Sequence, residues 1–220
     1  MSSAQQWRLV CAFCLGLLWL SGCSSPGDTD SPDLGERLEA IHRLADEAND
    51  EAVERLAGAA RHEDTRTACE AVWALGRAPR QSAVRALERV VSVKSESRPR
   101  VRQTAVMALG RRKEPRAREV LLEVARTDPE GAVRAEAAAA VGKVGTLDDV
   151  PFLTDLAAAD PSVAVQSRAV GAIETLTGYR FPYDSRASEE QRREALERLK
   201  EDARRIAEFQ KRFEQREAGR

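Results

Sequence analysis

The side chains of this chain that could do chemistry are two histidines, one interior cysteine and a few groups of carboxylates. His62 stands beside Glu63, and His42 lies alone in an earlier helical stretch. A metal centre needs three or four such donors within reach of one another, so this single His-Glu pair reads as a solvated loop. Asp148, Asp149 and Asp155 read as the start and outer face of a helix rather than as an acid–base pair. Gly142-Lys143-Val144-Gly145 lacks the downstream Lys-Ser or Lys-Thr that completes a phosphate-cradling loop, so it reads as a helix stop and a turn. From these residues neither catalysis, nor a metal, nor a cofactor is expected.

The elements that would carry these residues are helices. Aromatics are only 5% of the residues and charged residues 32%, a balance that suits thin helices meeting through small aliphatic side chains. The formal net charge of -1 carries no basic excess, so nucleic acid is not an expected partner. The tight run Arg111-Arg112-Lys113, followed by Glu114, reads as a solvated helix end. Of the cysteines, Cys11 and Cys14 lie in an N-terminal apolar run, Cys23 ends it, and Cys69 alone remains in the interior. No internal disulfide is therefore available.

The first residues read as an address. Arg8 precedes a charge-free stretch of 12 residues, Leu9 to Leu20. This is shorter than the roughly 20 apolar residues needed to span a bilayer and fits the apolar region of a signal peptide. Leu20-Ser21-Gly22-Cys23 then resembles the bacterial lipobox. The resemblance implies removal of residues 1–22, a diacylglycerol thioether on Cys23 and acylation of its new amine, and two or more acyl chains give a stable anchor. By the same resemblance Ser24, in place of aspartate, points to the outer membrane, facing the periplasm. Cleavage would leave 34 basic against 36 acidic residues. Ser24 to Asp33 reads as a disordered polar tether within segment 23–33.

The middle of the chain repeats. Thr67–Gly76, Val101–Gly110 and Val133–Gly142 align without gaps, Val165–Glu174 keeps the apolar pattern without the glycine, and Glu36–Ala45 is a weaker first copy. Starts are spaced 31, 34, 32 and 32 residues apart. In the third copy Val101, Ala105, Ala108 and Leu109 form the stripe of a helix buried on one face. Gly76, Gly110 and Gly142 are read as helix stops in the left-handed region. A second stripe follows each stop, as in Ala117, Val120, Leu121 and Val124. Asp128-Pro129 and Asp160-Pro161 are read as a helix cap and first turn. Cys69 aligns with Gln103, Ala135 and Ser167 and reads as half-exposed, without thiol chemistry. Such hairpins bury both faces only by stacking, which gives an all-α solenoid of about five helical hairpins.

Asp-Pro, a short gap, Val-Arg and then a stretch like Ala105-Val106-Met107-Ala108-Leu109-Gly110 resembles the HEAT repeat of bacterial proteins, often labelled phycobilisome-lyase-type. The resemblance covers about Leu34 to Gly178. Its Val-Arg pair stands at Val101-Arg102 and Val133-Arg134 but is replaced at Thr67-Ala68 and Val165-Gln166, where a continuous Asp–Arg ladder would be interrupted. Some HEAT proteins hold iron with several His-Glu pairs and others are chromophore lyases; this chain has one such pair and a signal peptide.

Leu176-Thr177-Gly178 and the loop Tyr179 to Asp184 resemble a closing element seen after such arrays. Tyr179, Phe181 and Tyr183 are expected to plug the last hairpin. Ser188 reads as the cap of a helix running to about Arg216, with Leu196, Leu199, Ala203, Ile206 and Phe213 as its seam and Gln210 interrupting it. Its first half is expected to pack on the first helix of the fifth unit. The organisation expected is thus a signal peptide (1–22), a lipidated tether (23–33), a solenoid (34–184) and a capping or projecting helix (185–220). The function expected is a membrane-anchored, non-catalytic protein-binding scaffold of the bacterial envelope. Alternatives are a HEAT-type lyase or lyase accessory protein, and an envelope spacer that forms a homodimer through the C-terminal helix. The expected partner-binding ridge consists of Arg85, Glu88, Arg89, Arg118, Glu119, Glu123, Asp148, Asp149 and Asp155 on the second helices.

Overall fold

The computed structural model describes residues 28–47 and 49–218. The signal peptide, the Leu20-Ser21-Gly22-Cys23 motif and the beginning of the tether lie outside the described residues. The described residues form helices and no strand. First helices are α1 (Leu34–Glu47), α3 (Thr65–Arg77), α5 (Pro99–Leu109), α7 (Gly131–Val144) and α9 (Val163–Thr177). Second helices are α2 (Asp50–Ala59), α4 (Gln81–Val91), α6 (Pro115–Thr127) and α8 (Val150–Ala159), the last preceded by a 3-10 turn at Leu147–Asp149. A long helix, α10 (Glu189–Ala218), closes the chain. Successive first helices touch one another along the whole stack, and the second helices form an outer row behind them. One apolar core runs between the two rows, from Ile41 in the first layer to Ala207 in α10.

Small side chains set the spacing of the first-helix row. A Cβ placed on Gly76 would lie 2.8 Å from Ala108 Cβ, one on Gly110 2.8 Å from Ala140 Cβ, and one on Gly142 2.8 Å from Ala172 Cα. These glycines are therefore contact points between layers. They are not left-handed stops: Gly178, at the end of α9, is the glycine with positive φ among the described residues. The fourth copy carries Glu174 at this position because no further first helix stacks on α9.

The Asp-Pro turns also work differently from the expectation. Helices α7 and α9 begin at Gly131 and Val163, two residues after each proline. Asp128 and Asp160 instead accept hydrogen bonds from the backbone amides of Glu130 (2.9 Å) and Ser162 (2.8 Å), which closes each turn. The same carboxylates each receive two bonds from an arginine of the preceding layer. Arg102 donates to Asp128 at 2.8 and 2.9 Å, and Arg134 donates to Asp160 at 2.7 and 3.0 Å. Each arginine also donates to the carbonyls five and six residues before it: Ser97 and Glu96 for Arg102, Pro129 and Asp128 for Arg134.

The ladder does not stop where the Val-Arg pair is lost. Ala68 has no guanidinium to offer to the carbonyls of His62 and Glu63. Arg98 supplies it from the next layer, at 2.8 and 2.9 Å, while pairing with Glu96. Burial pushes the Glu96 carboxyl up, but the hydrogen bonds from Arg98 outweigh this and hold it below its ordinary range. At the far end Gln166 donates to the Asp160 carbonyl (3.0 Å) and accepts from the Tyr183 hydroxyl (2.9 Å). At the near end Arg37 donates to Thr67 and to the carbonyls of Ser31 and Pro32. Thr67 in turn, through its hydroxyl and then its amide, holds the Asp64 carboxyl at about 2.

Three further expectations change. Arg112 is buried rather than solvated, and donates to the carbonyls of Ala78 and Arg80 and to Glu114, which ties two loops together. Residues 28–33, expected in the tether, fold onto α1, with Thr29 and Ser31 buried. Helix α10 packs mainly on α8 and continues the second-helix row, with less contact to α9. Leu196, Leu199, Ala203 and Ala207 are its buried face, and Gln210 pins it to the Thr177 carbonyl at 2.8 Å.

Candidate interaction surface

The nine residues expected on the second-helix ridge meet different fates. Asp149 is a correction: it is 2% exposed and structural. It accepts the Thr146 amide at 2.8 Å, which closes a capping box, and two bonds from Arg118, at 2.8 and 2.5 Å. A carboxylate buried beneath its own cap has no surface to offer, and Arg118 is spent on it. Asp148 and Asp155 face α10 and are paired with it: Asp148 with Lys211, and Asp155 with Lys200 (2.9 Å) and Arg204 (3.5 Å). Their charges hold the closing helix in place.

Arg85, Glu88, Arg89, Glu119 and Glu123 remain, and they lie on α4 and α6. Arg89 reaches Glu54 at 3.9 Å, and Glu123 reaches Arg126 at 3.4 Å. Arg116 bridges the two helices by pairing with Glu88 and with Glu119, the latter at 2.9 Å. Between α4 and α6 lies a groove of about 660 Å³. Val91, Val120 and Val124 line its apolar side, and Glu88, Arg116, Glu119 and Glu123 its rim. Val93, beyond the end of α4, is 45% exposed at its mouth. Arg116, Arg126 and Val93 were missed in the sequence, although Arg116 follows the proline that opens α6.

Other side chains with chemical potential sit apart. The Nδ1 of His62 accepts the Asp64 amide at 3.0 Å, a loop contact. The half-exposed Cys69 accepts a bond from the Thr104 hydroxyl at 3.4 Å. Among the described residues no three His, Cys, Asp or Glu side chains are placed to hold a metal ion, and no helix is long and apolar enough to cross a membrane. Of the expected aromatic plug, Phe181 and Tyr183 pack on the core, whereas Tyr179 is 50% exposed beside Phe209 and Phe213.

A model of HEAT repeats matches residues 91–174. No curated protein matches the sequence. Solved structures to which this chain is similar include the complex of CpcE and CpcF of phycocyanin lyase from Nostoc sp. PCC7120, 23% identical with a TM-score of 0.47, covering 69% of this chain and 63% of that one. This chain thus spans less than two thirds of that lyase chain. An engineered protein is 18% identical with a TM-score of 0.45, covering 81% of this chain and 94% of its own. A designed armadillo repeat protein in complex with the peptide (KR)4 is 21% identical with a TM-score of 0.41, covering 82% and 94%. Residues 91–174 are thus matched as HEAT repeats, and helical layers of the same build lie on both sides of them.

Proposed function

We propose that this protein is a non-catalytic scaffold of the bacterial envelope, lipid-anchored through Cys23, that holds a protein partner in the groove between α4 and α6. The observation that carries this is the make-up of the groove: Val93 exposed at its mouth over a floor of Val91, Val120 and Val124, within a rim where Arg116 pairs with Glu88 and Glu119. An apolar centre within a polar rim is the ordinary anatomy of a protein–protein interface. Rim charges held in ion pairs set the register of a partner more than they add affinity. The anchor fits this role. Residues 28–33 fold onto α1, so five residues, Cys23 to Gly27, separate the lipid from the first layer. Their reach is at most roughly 17 Å, so the stack would start close to the bilayer surface.

The test is photo-crosslinking in intact cells, with the reactive residue placed at Glu123 on the rim and, as a control, at Arg205 on the outer side of α10. A discrete protein adduct is expected from position 123 and none from 205. Glu88→Lys/Glu119→Lys should remove the adduct, and Cys23→Ala should shift the chain from the membrane to the soluble fraction. Equal labelling from position 205, or visible-range absorbance in the captured complex that marks a bound chromophore, would overturn the scaffold reading.

A further inference from the structure

A second surface of the molecule differs from the groove in kind. In each first helix the residues facing away from the core recur at the same register, one turn apart. Trp73 on α3, Met107 on α5 and Ala139 on α7 stand at one such position and are all half-buried. Because these helices pack side by side, the three residues form an apolar row across the stack. About 6 Å toward the helix C-termini runs a basic row, Arg77, Arg111 and Lys143. About 10 Å the other way stand Arg66 and Arg100, each the second residue of its helix. The Arg111 guanidinium sits 5.9 Å from the centre of the Trp73 ring.

The helix dipole explains the first basic row, since cations are favoured in the last turn. It does not explain Arg66 and Arg100. A cation in the first turn opposes the dipole, neither helix has an acidic residue there, and neither arginine has an ion-pair partner among the described residues. The chain as a whole is nearly neutral, and on the second-helix side Arg116, Arg118 and Arg126 are all paired. Arg55, Arg85 and Lys94 on the second-helix side have no ion pair among the described residues either, but none of them stands in a first turn against its helix dipole, as Arg66 and Arg100 do.

We propose that the first-helix face from α3 to α7 is a second docking surface, for an extended protein segment in which apolar and acidic residues alternate. Crossing three helices packed about 8–10 Å apart takes roughly six to eight extended residues. Apolar side chains of the segment lie on the Trp73–Met107–Ala139 row, and its carboxylates reach the cations on either side. Two carboxylates on the same face, Glu70 and Glu136, argue against a uniform polyanion such as nucleic acid or an anionic bilayer. In the first layer Glu39 and Asp46 close the surface, with Asp46 taking Arg77 at 3.8 Å.

The test uses the full chain with Trp7→Phe and Trp19→Phe, which leaves Trp73 as the single indole. A synthetic peptide of about eight residues alternating glutamate and valine, long enough to cross the face, is titrated while Trp73 fluorescence is followed. Saturable binding is expected, weakened about tenfold by Arg66→Glu/Arg100→Glu and weakened further by salt. Because those reversals favour the helix dipole, the variant's melting temperature should stay equal or rise, so lost binding would not reflect lost folding. Glu119→Lys/Glu123→Lys should leave the titration unchanged, which separates this surface from the groove. Unchanged affinity in the Arg66/Arg100 variant would overturn the proposal. So would equal binding of a lysine–valine peptide, or binding as tight to oligothymidylate or to phosphatidylglycerol-containing vesicles.

Discussion

Arg102 is 2% exposed, yet all three of its guanidinium nitrogens have partners: two bonds to Asp128 and two to the carbonyls of Glu96 and Ser97. A buried pair of this kind gains little over an apolar replacement, but removing one member strands the other. Arg102→Met should therefore destabilise the chain by about 3–5 kcal/mol, because Asp128 stays buried and charged. Adding Asp128→Asn should recover a large part of that loss, since the asparagine oxygen can still accept the Glu130 amide without a charge to bury. Urea melts of the two variants check this, and equal losses in both would refute it. The rungs at Arg102 and Arg134 were legible because the Val-Arg pair marks them. The rung built from Arg98 and Glu96 was not. A guanidinium from another register reaches the same two carbonyls, and nothing in the spacing of residues announces such a substitution.

Among the elements, the first helices show how a correct assignment can carry a wrong cause. Apolar periodicity located α3, α5, α7 and α9, but the glycines near their ends were read as stops. Gly142 lies inside α7, where Ala172 of α9 leaves no room for a methyl group. Gly171 lies inside α9 with nothing within 4 Å of an added Cβ. Two identical substitutions should then have opposite effects. Gly171→Ala should stabilise by about 0.5–1 kcal/mol, the ordinary helix preference for alanine. Gly142→Ala should destabilise by about 1–3 kcal/mol, because the contact is with backbone and the two helices must move apart. Thermal melts decide it, and stabilisation by both would mean that the layers are looser than their contacts indicate. Sequence could not separate the two cases, since interlayer distance depends on the side chain that the next repeat presents. The same limit hid the docking of α10. Its seam was legible at Leu196, Leu199 and Ala203, but not that α8 would be its main support, because that follows from the row and not from the helix.

For the whole molecule, stacking makes each layer depend on its neighbours, so stability should follow how each end is closed. The C-terminal end is closed by thirty residues of α10, with four buried side chains and ion pairs to Asp148 and Asp155. The N-terminal end is closed by the short turn before α1, which Arg37 holds through the carbonyls of Ser31 and Pro32. Helix α1 has neighbours on one side, α2 and α3, whereas α5 lies between α3 and α7. Local opening should therefore begin in the first layer, and amide exchange should be fastest in α1 and α2, slowest in α5 to α7, and still slow in α9. Arg37→Ala releases the turn and the bond to Thr67, and should speed exchange in α1 to α3 while leaving α7 to α9 as before. Hydrogen exchange read by mass spectrometry gives both results in one experiment. Uniform acceleration along the chain would show that the layers open as one unit, and that closure of the ends does not govern which part of the stack is the more mobile.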